Sequence, residues 1–219
     1  MLKKKELELL SMELETESLS PEVYRYRTEW GVSVVYYLFD PDLIEKYIFE
    51  PVYLSPADVE CEGMSEEEIF KAILDSTVKI MRTKIIPFSE YFREFEEFCE
   101  DKTKIPIIKG IAKAMEGAEE ENKVWCVTGS LRERCASGAL YQPLLRQFCE
   151  THNCSGVLIG FSDNDFAYLG KDNSQMASLM PSLVHGLSHI VEGAEELAAM
   201  KILRYNYETD TLKVFTEKV

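Results

Sequence analysis

The sequence predicts an α+β protein, with a mixed or antiparallel sheet packed against helices, a helical middle segment and a C-terminal β-hairpin. Three observations lead there. Short runs rich in β-branched and aromatic residues, such as Val32 to Phe39, Val124 to Thr128 and Val157 to Phe161, have the length of strands. Longer stretches repeat apolar residues every three or four positions, as amphipathic helices do. With 46% hydrophobic residues over 219 positions, and only 11 Gly and 8 Pro, the chain can bury a sizeable core.

Taken in order, residues 2 to 15 are expected to form a short helix, with Leu2, Leu7, Leu10 and Leu14 on one side. Glu22 to Glu29 alternates Val23, Tyr24, Tyr26 and then Trp30 with charged residues, which predicts a half-buried strand that Gly31 breaks. Val32 to Phe39 is the next strand and its hairpin partner. Asp40 and Pro41 start a short helix to about Phe49, and Pro51 ends it. Ser65 and Glu68 form a capping box, after which Ile69, Phe70, Ile73, Leu74, Ile80 and Met81 share one helical face through about Arg82. Beyond Pro87, the residues Phe88, Tyr91, Phe92, Phe95, Phe98 and Cys99 recur at helical spacing as a core-facing stripe.

The polar, acidic stretch Gly117 to Glu121 marks a boundary between an N-terminal α+β region, residues 1–116, and a C-terminal α+β domain, residues 122–219, the two expected to form one compact unit. After it, Val124 to Thr128 is a strand, Leu131 to Cys149 mostly helix, and Val157 to Phe161 and Phe166 to Leu169 further strands. A helical region spans Ser174 to Leu197, interrupted or restarted at Pro181. Met200 to Tyr207 and Leu212 to Phe215 close the chain as a hairpin.

Charge and cysteine usage narrow the function classes. The net charge of −15 repels a nucleic-acid backbone and an anionic membrane, and leaves a basic protein partner open. Met1-Leu2-Lys3-Lys4-Lys5 is followed by glutamates where the apolar core of an export signal would stand, and no apolar run approaches the roughly 20 residues of a membrane span. The expectation is a cytoplasmic protein whose six cysteines are reduced thiols.

Three constellations carry possible chemistry. Ser76-Thr77-Val78-Lys79 with Ser162-Asp163-Asn164 matches two motifs of penicillin-recognising serine enzymes. Ser76, however, is placed inside a helix rather than at its start, and no K-T-G follows, so the expectation is a helix interior and a turn. Cys149, His152 and Cys154 place two thiols and an imidazole within six residues, a partial zinc pattern without a second ligand pair. His185, His189 and Glu192 share a helix face able to chelate a divalent ion, although a solvated polar face is the expectation. Nucleophile-elbow, phosphate-loop and dinucleotide fingerprints are missing, so no catalytic, cofactor-binding or metal residue is assigned.

Residues 122–216 carry a further pattern: Val124-Trp125-Cys126-Val127-Thr128-Gly129, then Ala136-Ser137-Gly138-Ala139-Leu140-Tyr141, Pro143-Leu144-Leu145 and Tyr205-Asn206-Tyr207-Glu208-Thr209-Asp210. In these the second half resembles an uncharacterised domain family of gut Firmicutes. Where that family carries Pro-Ser-Ser-x-His-Glu, this chain has Gly160-Phe161-Ser162-Asp163-Asn164-Asp165. The resemblance implies an α+β domain of bacterial origin and carries no activity with it.

The leading expectation is a non-enzymatic protein–protein interaction module of a bacterium or its phage, contacting a partner through acidic surfaces. A specific form of it is an acidic inhibitor or immunity protein that occupies a basic nucleic-acid-binding site on its target. The enzyme alternative is a metal-dependent hydrolase built on one of the two histidine-containing clusters.

Overall fold

The computed structural model describes residues 4–16, 19–39, 51–60, 63–98, 102–103, 105–129, 134–161, 164–187 and 201–215. Two antiparallel sheets and five α-helices account for most of them, as the predicted α+β class requires. The larger sheet has six strands: β5 (Lys84–Pro87), β6 (Val124–Thr128), β7 (Gly156–Phe161), β8 (Ala167–Lys171), β9 (Lys201–Asn206) and β10 (Thr211–Val214). Their order is β10-β9-β7-β8-β6-β5, and the C-terminal pair β9–β10 is the expected hairpin.

The middle strands of this sheet are buried on both faces, which is why they form unbroken apolar runs. On β7, Val157, Ile159 and Phe161 join one hydrophobic cluster and Leu158 joins another, following the two-residue period of a strand. The face with Leu158, Cys126 and Tyr168 is covered by α2 (Phe88–Phe98) and α5 (Ser174–Leu187), with α3 (Ile105–Glu116) packed beside α2. Phe88, Tyr91 and Phe92 are buried there against Phe166 and Tyr168, as the aromatic stripe predicts.

Gly160 and Gly170 allow α5 to lie close to the sheet. A Cβ at Gly160 would stand 2.4 Å from Val184 Cγ2, and one at Gly170 2.4 Å from Met176 Sδ. Helix α5 runs through Pro181 without a break, against expectation. Met176, Met180, Leu183 and Val184 make one buried stripe, and packing of that stripe outweighs the backbone hydrogen bond that Pro181 cannot donate.

The opposite face meets α4 (Gln142–His152), the 3₁₀ turn Ala136–Leu140, helix α1 (Glu66–Ile80) and the smaller sheet. That sheet comprises β1 (Leu10–Leu14), β2 (Arg25–Arg27), β3 (Ser33–Leu38) and β4 (Val52–Tyr53), with β3 pairing to each of the other three. The expected β2–β3 hairpin is present, though β2 is three residues long rather than the full Glu22–Glu29 stretch.

The N-terminal helix expected over residues 2 to 15 is replaced by a 3₁₀ turn, Lys4–Leu9, and strand β1. Leu10, Met12 and Leu14 alternate as well as any strand, and pairing with Leu38, Tyr36 and Val34 of β3 decides for that period. Helix α1 is capped as predicted: Glu68 N–H donates to Ser65 Oγ at 3.3 Å, and Ser65 N–H to Glu68 Oε2 at 2.8 Å. The region expected as helix from Leu131 to Cys149 holds the 3₁₀ turn and α4, with Tyr141 between them. The helix expected from Asp40 to Phe49 and the end of the one expected to reach Leu197 lie outside the described residues.

Strand β5 precedes the acidic stretch 117–121 and β6 follows it, and the two pair from Lys84↔Thr128 to Pro87↔Trp125. No helix among the described residues is long and apolar enough to cross a membrane.

Candidate functional site

Where α1, the β2–β3 turn, the start of α4 and the β9–β10 turn converge, they leave a groove of about 440 Å³. Each wall follows from local sequence. Strand β2 presents Tyr26, and the turn that follows it Glu29 and Trp30. That turn is held by reciprocal bonds between Thr28 and Val32: the Thr28 N–H donates to the Val32 carbonyl at 2.9 Å, and the Val32 N–H to Thr28 Oγ1 at 3.1 Å. Gly31 takes φ 69° at this turn, where a side chain would be strained, and the Lys201 ammonium donates to its carbonyl.

Helix α1 contributes Glu67, Phe70, Lys71 and Leu74, which its 3.6-residue period brings to one side. Phe70 stacks on Tyr26 at 5.0 Å between ring centroids and meets the edge of Trp30 at 6.3 Å. The third wall is Leu140 to Pro143. Tyr141 is anchored by its hydroxyl, which donates to Asp75 Oδ1 at 3.1 Å. Asp210 and Thr211 form the last, and Gln142 Nε2 donates to the Asp210 carbonyl at 2.9 Å, tying the two walls together.

The electrostatics of this groove are one-sided. Glu29, Glu67 and Asp210 stand against the single ammonium of Lys71 within its lining. Lys71 pairs with Glu67 on the same helix, and Arg146 pairs with Asp210 at 3.3 Å from outside the lining. Desolvation, then the fields of Glu67, Glu66 and Glu29, hold the Tyr26 hydroxyl above its ordinary pKa. Tyr24, just beyond the rim, donates to Glu66 at 2.9 Å. The lining thus sets aromatic side chains beside carboxylates.

The two histidine-containing clusters fare differently from this groove. Cys149 is buried and Cys154 half-buried at the C-terminal end of α4, while the His152 ring lies tilted against both Trp125 and Phe148, at 4.7 and 4.4 Å between centroids. Its Nδ1 lies 3.4 Å from Glu120 Oε1. His185 is exposed on α5, whereas His189 and Glu192 lie outside the described residues. Among the described residues, no three His, Cys, Asp or Glu side chains are grouped so as to hold a metal ion.

Ser76 is interior to α1, as expected, and donates to the Glu8 carbonyl at 3.0 Å. Ser162 and Asp163 lie outside the described residues, and Asn164 is a structural bridge. Its side chain accepts from the Leu14 N–H at 2.8 Å and donates to the Leu14 carbonyl at 2.9 Å.

From the sequence, Tyr26 and Trp30 belong to a half-buried strand and Phe70 to an apolar helix face, while Tyr141 and Asp210 stand only within longer runs that carry the family resemblance. The groove draws on four separate segments, so no local motif announces it. The nearest signal is the Glu29-Trp30-Gly31 turn, where a large aromatic stands at a position that must be solvent-accessible.

Fold and groove together define an antiparallel α+β protein with an aromatic cleft of acidic rim. No family model, curated protein or solved structure matches the chain.

Proposed function

We propose that the protein is a binding module that docks a basic segment of a protein partner, an arginine or lysine side chain of that segment entering the aromatic groove. One observation carries this reading: the groove lining joins Tyr26, Trp30, Phe70 and Tyr141 to three carboxylates and one ammonium, in a chain of net charge −15. A guanidinium or ammonium on an aromatic face gains about 0.5–2 kcal/mol, and the surrounding acidity speeds the encounter. Anionic ligands are disfavoured by the same field. The groove volume suits one or two side chains rather than a folded element.

Its test is fluorescence titration with arginine-rich and glutamate-rich peptides of equal length at low and high salt. The arginine peptide should bind, weaken at least tenfold between 50 mM and 500 mM salt, and lose binding in Trp30→Ala and Glu29→Lys. Equal affinity for both peptides, or affinity unchanged in both variants, would rule the reading out.

A further inference from the structure

Helix α4 ends in a left-handed turn. Asn153 takes φ 49° and ψ 55°, and its N–H donates to the Cys149 carbonyl. The Cys154 N–H reaches the same carbonyl at 3.1 Å, which is the long bond of a Schellman turn. In that turn the residue three before the cap and the second residue after it bring their side chains into contact. Here both of those residues are cysteines, Cys149 and Cys154. Cys149 belongs to the buried core cluster, while Cys154 packs against it and keeps part of its surface in solvent.

We infer that Cys149 and Cys154 form a redox site, a thiol pair that a low-molecular-weight disulfide converts into an intramolecular disulfide. The half-buried member, Cys154, is the one equipped to attack. The Cys149 S–H donates toward the Cys154 sulfur, the Gly156 N–H points to it, and the Lys171 ammonium adds its field against that of Glu121. Together these pull the Cys154 thiol down to about 7 despite its partial burial. Donation to Cys154 and burial push the Cys149 thiol up, with Arg146 and Glu150 acting on it in opposite senses.

The Cys154 thiolate attacks one sulfur of the small disulfide, a mixed disulfide forms at Cys154, and one small thiolate leaves. It takes the proton of Cys149, whose sulfur then attacks the Cys154 sulfur. The second small thiolate leaves and takes up a proton from water. Two protein thiols are oxidised and one small disulfide is reduced to two thiols. The buried Cys149 is thus the resolving thiol, which is no longer held back once Cys154 has lost its charge.

The test uses the full chain incubated with oxidised glutathione under native conditions, then alkylated, digested with trypsin and weighed. Residues 147–171 fall in one peptide holding both cysteines and no other. The expected product is that peptide lighter by two hydrogens and without alkyl groups. Cys149→Ser should stop at a glutathione adduct on Cys154, and Cys154→Ser should leave Cys149 free to be alkylated after unfolding. A wild-type peptide alkylated at both cysteines, one that halts at the mixed disulfide, or a Cys154→Ser variant that takes up glutathione at Cys149 would overturn the inference.

Discussion

The guanidinium of Arg134 closes on the carboxylate of Glu13, which strand β1 holds wholly inside the protein, 121 residues away along the chain. The Tyr53 hydroxyl donates to the other oxygen of the same carboxylate. Arg134 Nη1 lies 3.1 Å from that hydroxyl, so β1, β4 and the entry to the 3₁₀ turn meet in one polar knot. Removing a single partner of a buried ion pair costs about 3–5 kcal/mol, because the remaining charge has no water to turn to. Arg134→Ala is expected to lose stability on that scale in urea unfolding. The double variant Glu13→Gln with Arg134→Met should lose less than the sum of the single changes, and strict additivity would show that the two are not coupled.

Two glycines offer a paired test of the close approach of α5 to the sheet. Gly170→Ala would place its Cβ 2.4 Å from both Cγ and Sδ of Met176, and overpacking of this kind costs about 1–3 kcal/mol. Gly110→Ala, inside α3 with nothing within 4 Å of its Cβ, should instead stabilise by about 0.5–1 kcal/mol. Thermal melts that moved the same way for both would refute this account.

At the start of α1, Ser65→Ala removes the acceptor of one orphan N–H and half of the capping box. The expected loss is about 1 kcal/mol, read from urea midpoints at unchanged slope. Ser65→Asp should recover most of it, since a carboxylate caps as well and also suits the positive end of the helix dipole.

The Cys154 thiol should show its environment in its alkylation rate. Its folded pKa is lowered to about 7, chiefly by the Cys149 S–H, so the rate should be slow in acid and rise with a midpoint near that value. In Cys149→Ala the donor is gone and the midpoint should move upward toward that of an ordinary thiol. A pH profile identical in both proteins would mean that Cys149 does not act on Cys154.

Much of this fold is legible because a sheet covered on both faces writes itself as short apolar runs: Val124 to Thr128 and Gly156 to Phe161 could scarcely be anything else. The capped start of α1 is legible because Ser65 and Glu68 satisfy each other locally. Strand β1 was hidden because Leu7, Leu10 and Leu14 also fit a helix, and only pairing with β3 chooses between the two periods. Strand β5 has four residues and a proline, too little for any local signal. The groove is illegible for another reason: Trp30, Phe70, Tyr141 and Asp210 become neighbours only when two sheets and two helices have assembled. In the thiol pair both cysteines and the intervening Asn153 are visible, but the left-handed turn that joins them is a property of the folded helix end.

The outer strand β5 has a bearing on how copies of this protein behave toward one another. Its exposed residues include Lys84, whose charge resists a neighbouring strand, and Pro87, which has no N–H to offer one. At the other end of the sheet β10 carries Lys213, likewise exposed. The β5 rim is therefore a poor template for strand addition from another molecule, whereas β10 sets its lysine beside the exposed Val214.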